Sequence, residues 1–114
     1  MLKTNLTHVL SEKDHSELLN SNENVMICYG RMGPMCIPVY EVMEELEGEY
    51  KNIKFADMEF DSQDAKVIRN LPECRSFQGL HFVVYYKNGK VVNATSSIQS
   101  RDQITSILDE QFAK

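Results

Sequence analysis

Apolar and polar positions follow different periods along the chain, and each change of period marks a new element. The run Val25-Met26-Ile27-Cys28-Tyr29 is apolar throughout, the pattern of a central strand covered on both faces, and Gly30 ends it. From Cys36 onward the apolar residues Val39, Tyr40, Met43, Leu46 and Tyr50 recur at helical spacing, while Glu41, Glu44, Glu45 and Glu47 fill the other side. That spacing predicts an amphipathic helix. An extended pattern returns in Ile53-Lys54-Phe55-Ala56-Asp57-Met58-Glu59-Phe60. Asp61 or Ser62 then caps a short helix carrying Ala65, Val67 and Ile68, and Pro72 closes it.

The two ends complete the pattern. A short apolar stretch from Leu6 to Val9 precedes Ser11-Glu12-Lys13-Asp14, a helix start with Ser11 as cap, and Leu18 and Leu19 give that helix its inner face. Phe82-Val83-Val84-Tyr85-Tyr86 and Val91-Val92-Asn93-Ala94 flank Lys87-Asn88-Gly89-Lys90, and an Asn-Gly pair between apolar runs is a strong hairpin signal. Ser100 caps a last helix with Ile104, Ile107, Leu108 and Phe112 inward. The order β-α-β-α-β-α-β-β-α predicts an α/β protein with a mixed central sheet flanked by helices, because a strand-helix-strand unit pairs its strands in parallel and a hairpin pairs them antiparallel. No repeat, linker or low-complexity segment interrupts residues 1–114, so a single domain is expected.

Composition narrows the function. With 114 residues, 42% hydrophobic and 25% charged, the chain is long enough for a core without staples. A net charge of -5 and a pI near 5.1 argue against nucleic acid or an anionic membrane as partner, since either calls for a basic face. No segment has the apolar length of a membrane span, and Met1-Leu2-Lys3-Thr4-Asn5 lacks the layout of a signal peptide. Three cysteines at irregular spacing (Cys28, Cys36, Cys74) suit a reducing compartment, and a cytoplasmic location is expected. The histidines His8, His15 and His81 are too scattered for a zinc site, and no cofactor is expected.

The candidate chemistry sits at Gly33-Pro34-Met35-Cys36, where the central strand gives way to the long helix. It has the form of a Cys-x-x-Cys redox turn whose first cysteine is glycine. Two-thiol exchange needs one sulfur to attack a disulfide and a second to release the mixed disulfide. Here only the second is present. The N–H groups and dipole of a helix N-terminus favour a thiolate at Cys36, whereas apolar Ile27 and Met35 favour the neutral thiol. Cys28 reads as core, and Cys74 is a distant candidate to resolve a disulfide at Cys36 if the two approach within bonding range.

The chain resembles thioredoxin over essentially its full length. The element order matches, as does the redox turn between the central strand and long helix, and Gly79-Leu80-His81-Phe82 looks like the segment of that family that carries its cis-proline. Counted back from Tyr50 without gaps, Cys36 falls on the family's second cysteine, Gly33 on the first, Met32 on its tryptophan, Ile27 on its buried aspartate and His81 on the cis-proline. A rival alignment sets Cys36-Ile37-Pro38-Val39 against the family's Cys-Gly-Pro-Cys, making Cys36 the attacking thiol. Both leave a monothiol.

The resemblance implies a thiol-disulfide oxidoreductase of cell redox homeostasis, monomeric, with Cys36, Gly33, Pro34 and Met35 at the catalytic turn and Met32, Leu80 and His81 facing substrate. Its implied partners are protein or small-molecule disulfide clients and a thioredoxin reductase. Because Gly33 removes one thiol, impaired dithiol turnover is expected. The alternative is a redox-inactive binding module that keeps the client groove. For His81 the readings are a reshaped loop with a trans Leu80-His81 bond, since cis before a non-proline costs about 2.5–4 kcal/mol, a base beside Cys36, or a metal ligand completed by a dimer.

Overall fold

The apolar run at 25–29 becomes the middle of a sheet. The computed structural model of the chain describes residues 6–30, 37–59, 82–96 and 100–112. Among these, the chain order is β1 (Thr7–Val9), α1 (Glu12–Ser21), β2 (Asn24–Gly30), α2 (Ile37–Glu49), β3 (Lys54–Glu59), β4 (Phe82–Lys87), β5 (Lys90–Ser96) and α3 (Arg101–Gln111). The strands lie in the order β1-β3-β2-β4-β5. β1, β3 and β2 are parallel, β4 runs antiparallel to β2, and β5 antiparallel to β4. This is the mixed α/β sheet predicted above; the helix expected after Asp61 lies outside the described residues.

Every residue of β2 is buried. Side chains alternate along a strand, so β2 feeds two cores. Val25, Ile27 and Tyr29 join Val9, Ala56, Met58, Val84 and Tyr86 on one face, with Leu18 and Leu19 of α1 packed against them. Met26 and Cys28 join Phe55, Val83 and Tyr85 on the other, under Val39, Tyr40, Met43 and Leu46 of α2 and Ile104 and Leu108 of α3. Each large side chain buried this way contributes about 1.5–3 kcal/mol.

The ends of the elements follow local chemistry. Ser11 Oγ accepts from the Asp14 N–H at 3.1 Å, and Ser100 and Gln103 form a reciprocal capping box at 3.2 and 2.8 Å. Pro38 is the second residue of α2, where its missing N–H would have had no intrahelical acceptor. Asn88 and Gly89 both take positive φ, 53° and 79°, as a two-residue turn matching the strand twist requires. The Asn88 N–H donates to the Glu23 carbonyl at 2.7 Å, tying the hairpin tip to the start of β2.

Two details add to the expected picture. In α1 the most buried residue is His15, while Leu18 and Leu19 are half-buried. On the exposed side of α2, Glu45 and Glu49 are also paired. Arg101 of α3 donates to Glu45 at 2.7 Å and also to Glu49, and Tyr50 Oη donates to Asp109 at 2.8 Å, so polar contacts join the two helices across the edge of their shared core.

Candidate functional site

The parallel strands reach the same edge of the sheet, where Gly30 of β2 lies beside Glu59 of β3 and Val9 of β1 beside Met58. In open α/β sheets, sites form outside such carboxyl ends. From Gly30, residues 31–36 lead into Ile37. Met32, Gly33, Pro34, Met35 and Cys36 all fall in that connection and lie outside the described residues, as do Cys74, Leu80 and His81.

The two ends of the connection are defined. Gly30 is buried at the end of the central strand, and Ile37 is exposed at the start of α2. The first turn of α2 holds no acidic residue. First-turn N–H groups of a helix lack intrahelical acceptors and carry partial positive charge, which no carboxylate in this turn offsets, and Cys36 is the residue that precedes the helix in sequence.

Below α2, one row of residues crosses all five strands in register: His8, Asp57, Cys28, Val83 and Thr95. Asp57 is 1% exposed, and its Oδ1 lies 2.7 Å from His8 Nδ1. The His8 side chain is 21% exposed, so the carboxylate is buried behind an imidazole that touches solvent. Cys28 is a fully buried thiol next to Asp57 on the adjoining strand. Burial pushes the Tyr85 hydroxyl well above its usual pKa, with Cys28 adding to the shift and Thr95 opposing it. Among the described residues, neither Tyr85 Oη nor Thr95 Oγ1, both buried, has a hydrogen-bond partner.

The opposite face holds a second polar group. His15 Nε2 and Tyr29 Oη share a hydrogen bond of 2.6 Å, and Tyr29 Oη and Tyr86 Oη one of 2.9 Å. Both phenols and the imidazole are buried.

Asp57, His8 and the His15-Tyr29-Tyr86 chain are polar groups that sequence reasoning missed. Ile27, which aligns with the family's buried aspartate, is itself fully buried and apolar, on the face opposite Asp57. The available signals were a lone carboxylate between Ala56 and Met58 in an apolar strand and a histidine between Thr7 and Val9. Pairing them requires the parallel register. Among the described residues, no three His, Cys, Asp or Glu side chains are placed to hold a metal ion, and no helix is long and apolar enough to cross a membrane.

Comparison with solved structures defines the fold. Plasmodium falciparum thioredoxin superposes with a TM-score of 0.75 at 21% identity, covering 95% of this chain and 100% of that one. Chlamydomonas reinhardtii thioredoxin f2 gives 0.78 at 11% identity over 96% and 98% of the two chains. Mitochondrial thioredoxin 3 from Saccharomyces cerevisiae, in its oxidized form, gives 0.75 at 15% identity over 92% and 94%. No protein-family model and no curated protein matches the sequence. The chain has the thioredoxin fold.

Proposed function

We propose that this protein is a thioredoxin-like monothiol that exchanges disulfides through Cys36 in the cytoplasm. The observation that carries the reading is the junction of β2 and α2: in a thioredoxin fold, the central strand ends at Gly30 and an acid-free helix start follows Cys36 directly. A thiolate there is stabilised by the helix N–H groups and dipole. It attacks one sulfur of a client disulfide, forming a Cys36 mixed disulfide and expelling the other sulfur as thiolate. With Gly33 in place of the first cysteine, an external thiolate must then attack the client sulfur of the mixed disulfide, forming a new disulfide with it and expelling the Cys36 thiolate.

Met32, Leu80 and His81 are assigned to client contact, with Gly33, Pro34 and Met35 shaping the turn. By resemblance, electrons come from a thioredoxin reductase, and clients are protein or small-molecule disulfides. Insulin reduction coupled to a dithiol reductant tests this: the native chain should be very weak and Gly33→Cys should gain turnover. Robust turnover by the native chain would refute the monothiol reading.

Gly33 itself favours a second reading, a binding module that retains the client groove without redox turnover. Thiol alkylation across pH separates the two. A Cys36 that modifies readily near neutrality supports chemistry, and an inert one supports binding.

A further inference from the structure

His15 occupies an unusual place for a titratable group. It lies in the second turn of α1, yet it is 8% exposed and points into the core between α1 and the sheet. Its ring centroid is 6.0 Å from that of Tyr29 on β2 and 5.8 Å from that of Tyr86 on β4. The two hydrogen bonds described above connect all three side chains. His15 is thus the polar residue through which α1 grips two strands, while Leu18 and Leu19 supply half-buried apolar contact.

Among the described residues, the groups around the ring are almost all neutral. From the sheet come the hydroxyls of Tyr29 and Tyr86 within a cluster of Val9, Val25, Ile27, Ala56, Met58, Phe82 and Val84. From its own helix, Glu12 is the charged group that acts on it. A neutral imidazole is satisfied in this setting by its bond to Tyr29. A cation is not: it can reverse the direction of that bond, but it must leave water for an apolar face where, among the described residues, one carboxylate, on the same helix, offsets it.

We infer that His15 is an acid-operated latch: neutral, it fastens α1 to β2 and β4 through the tyrosine pair; on taking a proton from solvent, it releases α1 from the sheet. The released helix gives the imidazolium access to water, which the docked helix denies it. Because Tyr29 immediately precedes Gly30, the latch also bears on the strand end from which residues 31–36 depart. This holds independently of the proposed thiol chemistry.

The direction follows from linkage. Burial lowers the His15 pKa below its ordinary 6.5, Glu12 opposing in part. The docked state therefore binds fewer protons than the open one, and its advantage is undiminished above about pH 6.5 and shrinks as pH falls below that value, reaching a floor at the docked-state pKa. With one proton involved, the population ratio changes by at most about tenfold per pH unit.

Amide hydrogen exchange of the full chain between pH 7.5 and 5, corrected for intrinsic rates, tests the latch. Protection of α1 amides relative to β2 and β4 should fall by about threefold or more on acidification in the native protein. His15→Gln, which keeps a hydrogen-bonding side chain and cannot titrate, should show no such fall. A flat native profile, or an equal fall in His15→Gln, overturns the inference. If His15→Gln does not fold, NMR titration of the native His15 ring decides. A docked pKa below 6.5 with α1 shifts following the same titration supports the latch, and a pKa at or above that value overturns it.

Discussion

Asp57 Oδ1 and His8 Nδ1 stand 2.7 Å apart on adjacent parallel strands, the carboxylate sealed inside and the imidazole at the margin. The bond pins β1, only three residues long, to the sheet interior. Removing His8 takes away one hydrogen-bond partner of a carboxylate that has little access to water. His8→Ala should therefore lower stability by about 1–3 kcal/mol, read as a shift of the urea midpoint. In a double-mutant cycle with Asp57→Ala, the coupling should be about 0.5–3 kcal/mol. Strictly additive losses would show that the pair is incidental.

Tyrosines on opposite faces of the sheet should respond differently to losing their hydroxyls. Tyr29→Phe breaks the bonds to both His15 and Tyr86 and should destabilise the protein by about 1–3 kcal/mol. Tyr85→Phe removes a buried hydroxyl that has no hydrogen bond among the described residues, and its effect should be within about 1 kcal/mol of zero. Equal losses in chemical denaturation would contradict this.

Tyr85 also sets an alkaline limit. Its hydroxyl pKa is raised by burial above the ordinary value near 10. The unfolded chain therefore ionises this phenol first, and stability is complete below about pH 10 and declines as pH rises beyond it. The decline measured in urea should be shallower in Tyr85→Phe than in the native protein. Superimposable profiles would remove Tyr85 as the cause.

At the hairpin, Gly89 has φ of 79° and open space where a Cβ would project. Gly89→Ala should thus cost about 1–2 kcal/mol from backbone conformation alone. A neutral substitution would mean that the turn had changed type.

Arg101 bridges Glu45 and Glu49 at the surface, with its guanidinium partly exposed. Exposed ion pairs contribute little to stability and weaken with salt. Arg101→Ala should accordingly lower the thermal midpoint slightly in dilute buffer and less at 1 M salt. A large loss that persists in salt would assign the role to packing of the Arg101 stem.

Much of the fold could be read from the chain because local chemistry and tertiary packing agree there. The all-apolar Val25-Met26-Ile27-Cys28-Tyr29, the Ser11 and Ser100 caps and Asn88-Gly89 each form what their residue types favour. The polar groups of the interior were hidden for the opposite reason. His8 meets Asp57, and His15 meets Tyr29 and Tyr86, only after strands distant in sequence come into register. Periodicity assigned α1 its leucines as the inner face, yet the helix turns a histidine inward because two tyrosines are there to receive it. Of the thiol site, the turn expected at Gly33 to Cys36 lies outside the described residues; the fold adds the buried strand end and the acid-free helix start that flank it in sequence.

Intact-mass spectrometry of the native chain after incubation with a small-molecule disulfide, followed by peptide mapping, addresses the thiol directly. One mixed-disulfide adduct, located on Cys36, is the expected product. An unmodified Cys36, or an internal Cys36-Cys74 bridge marked by the loss of two hydrogens, would show that this chain does not carry a reactive single thiol at the end of its central strand.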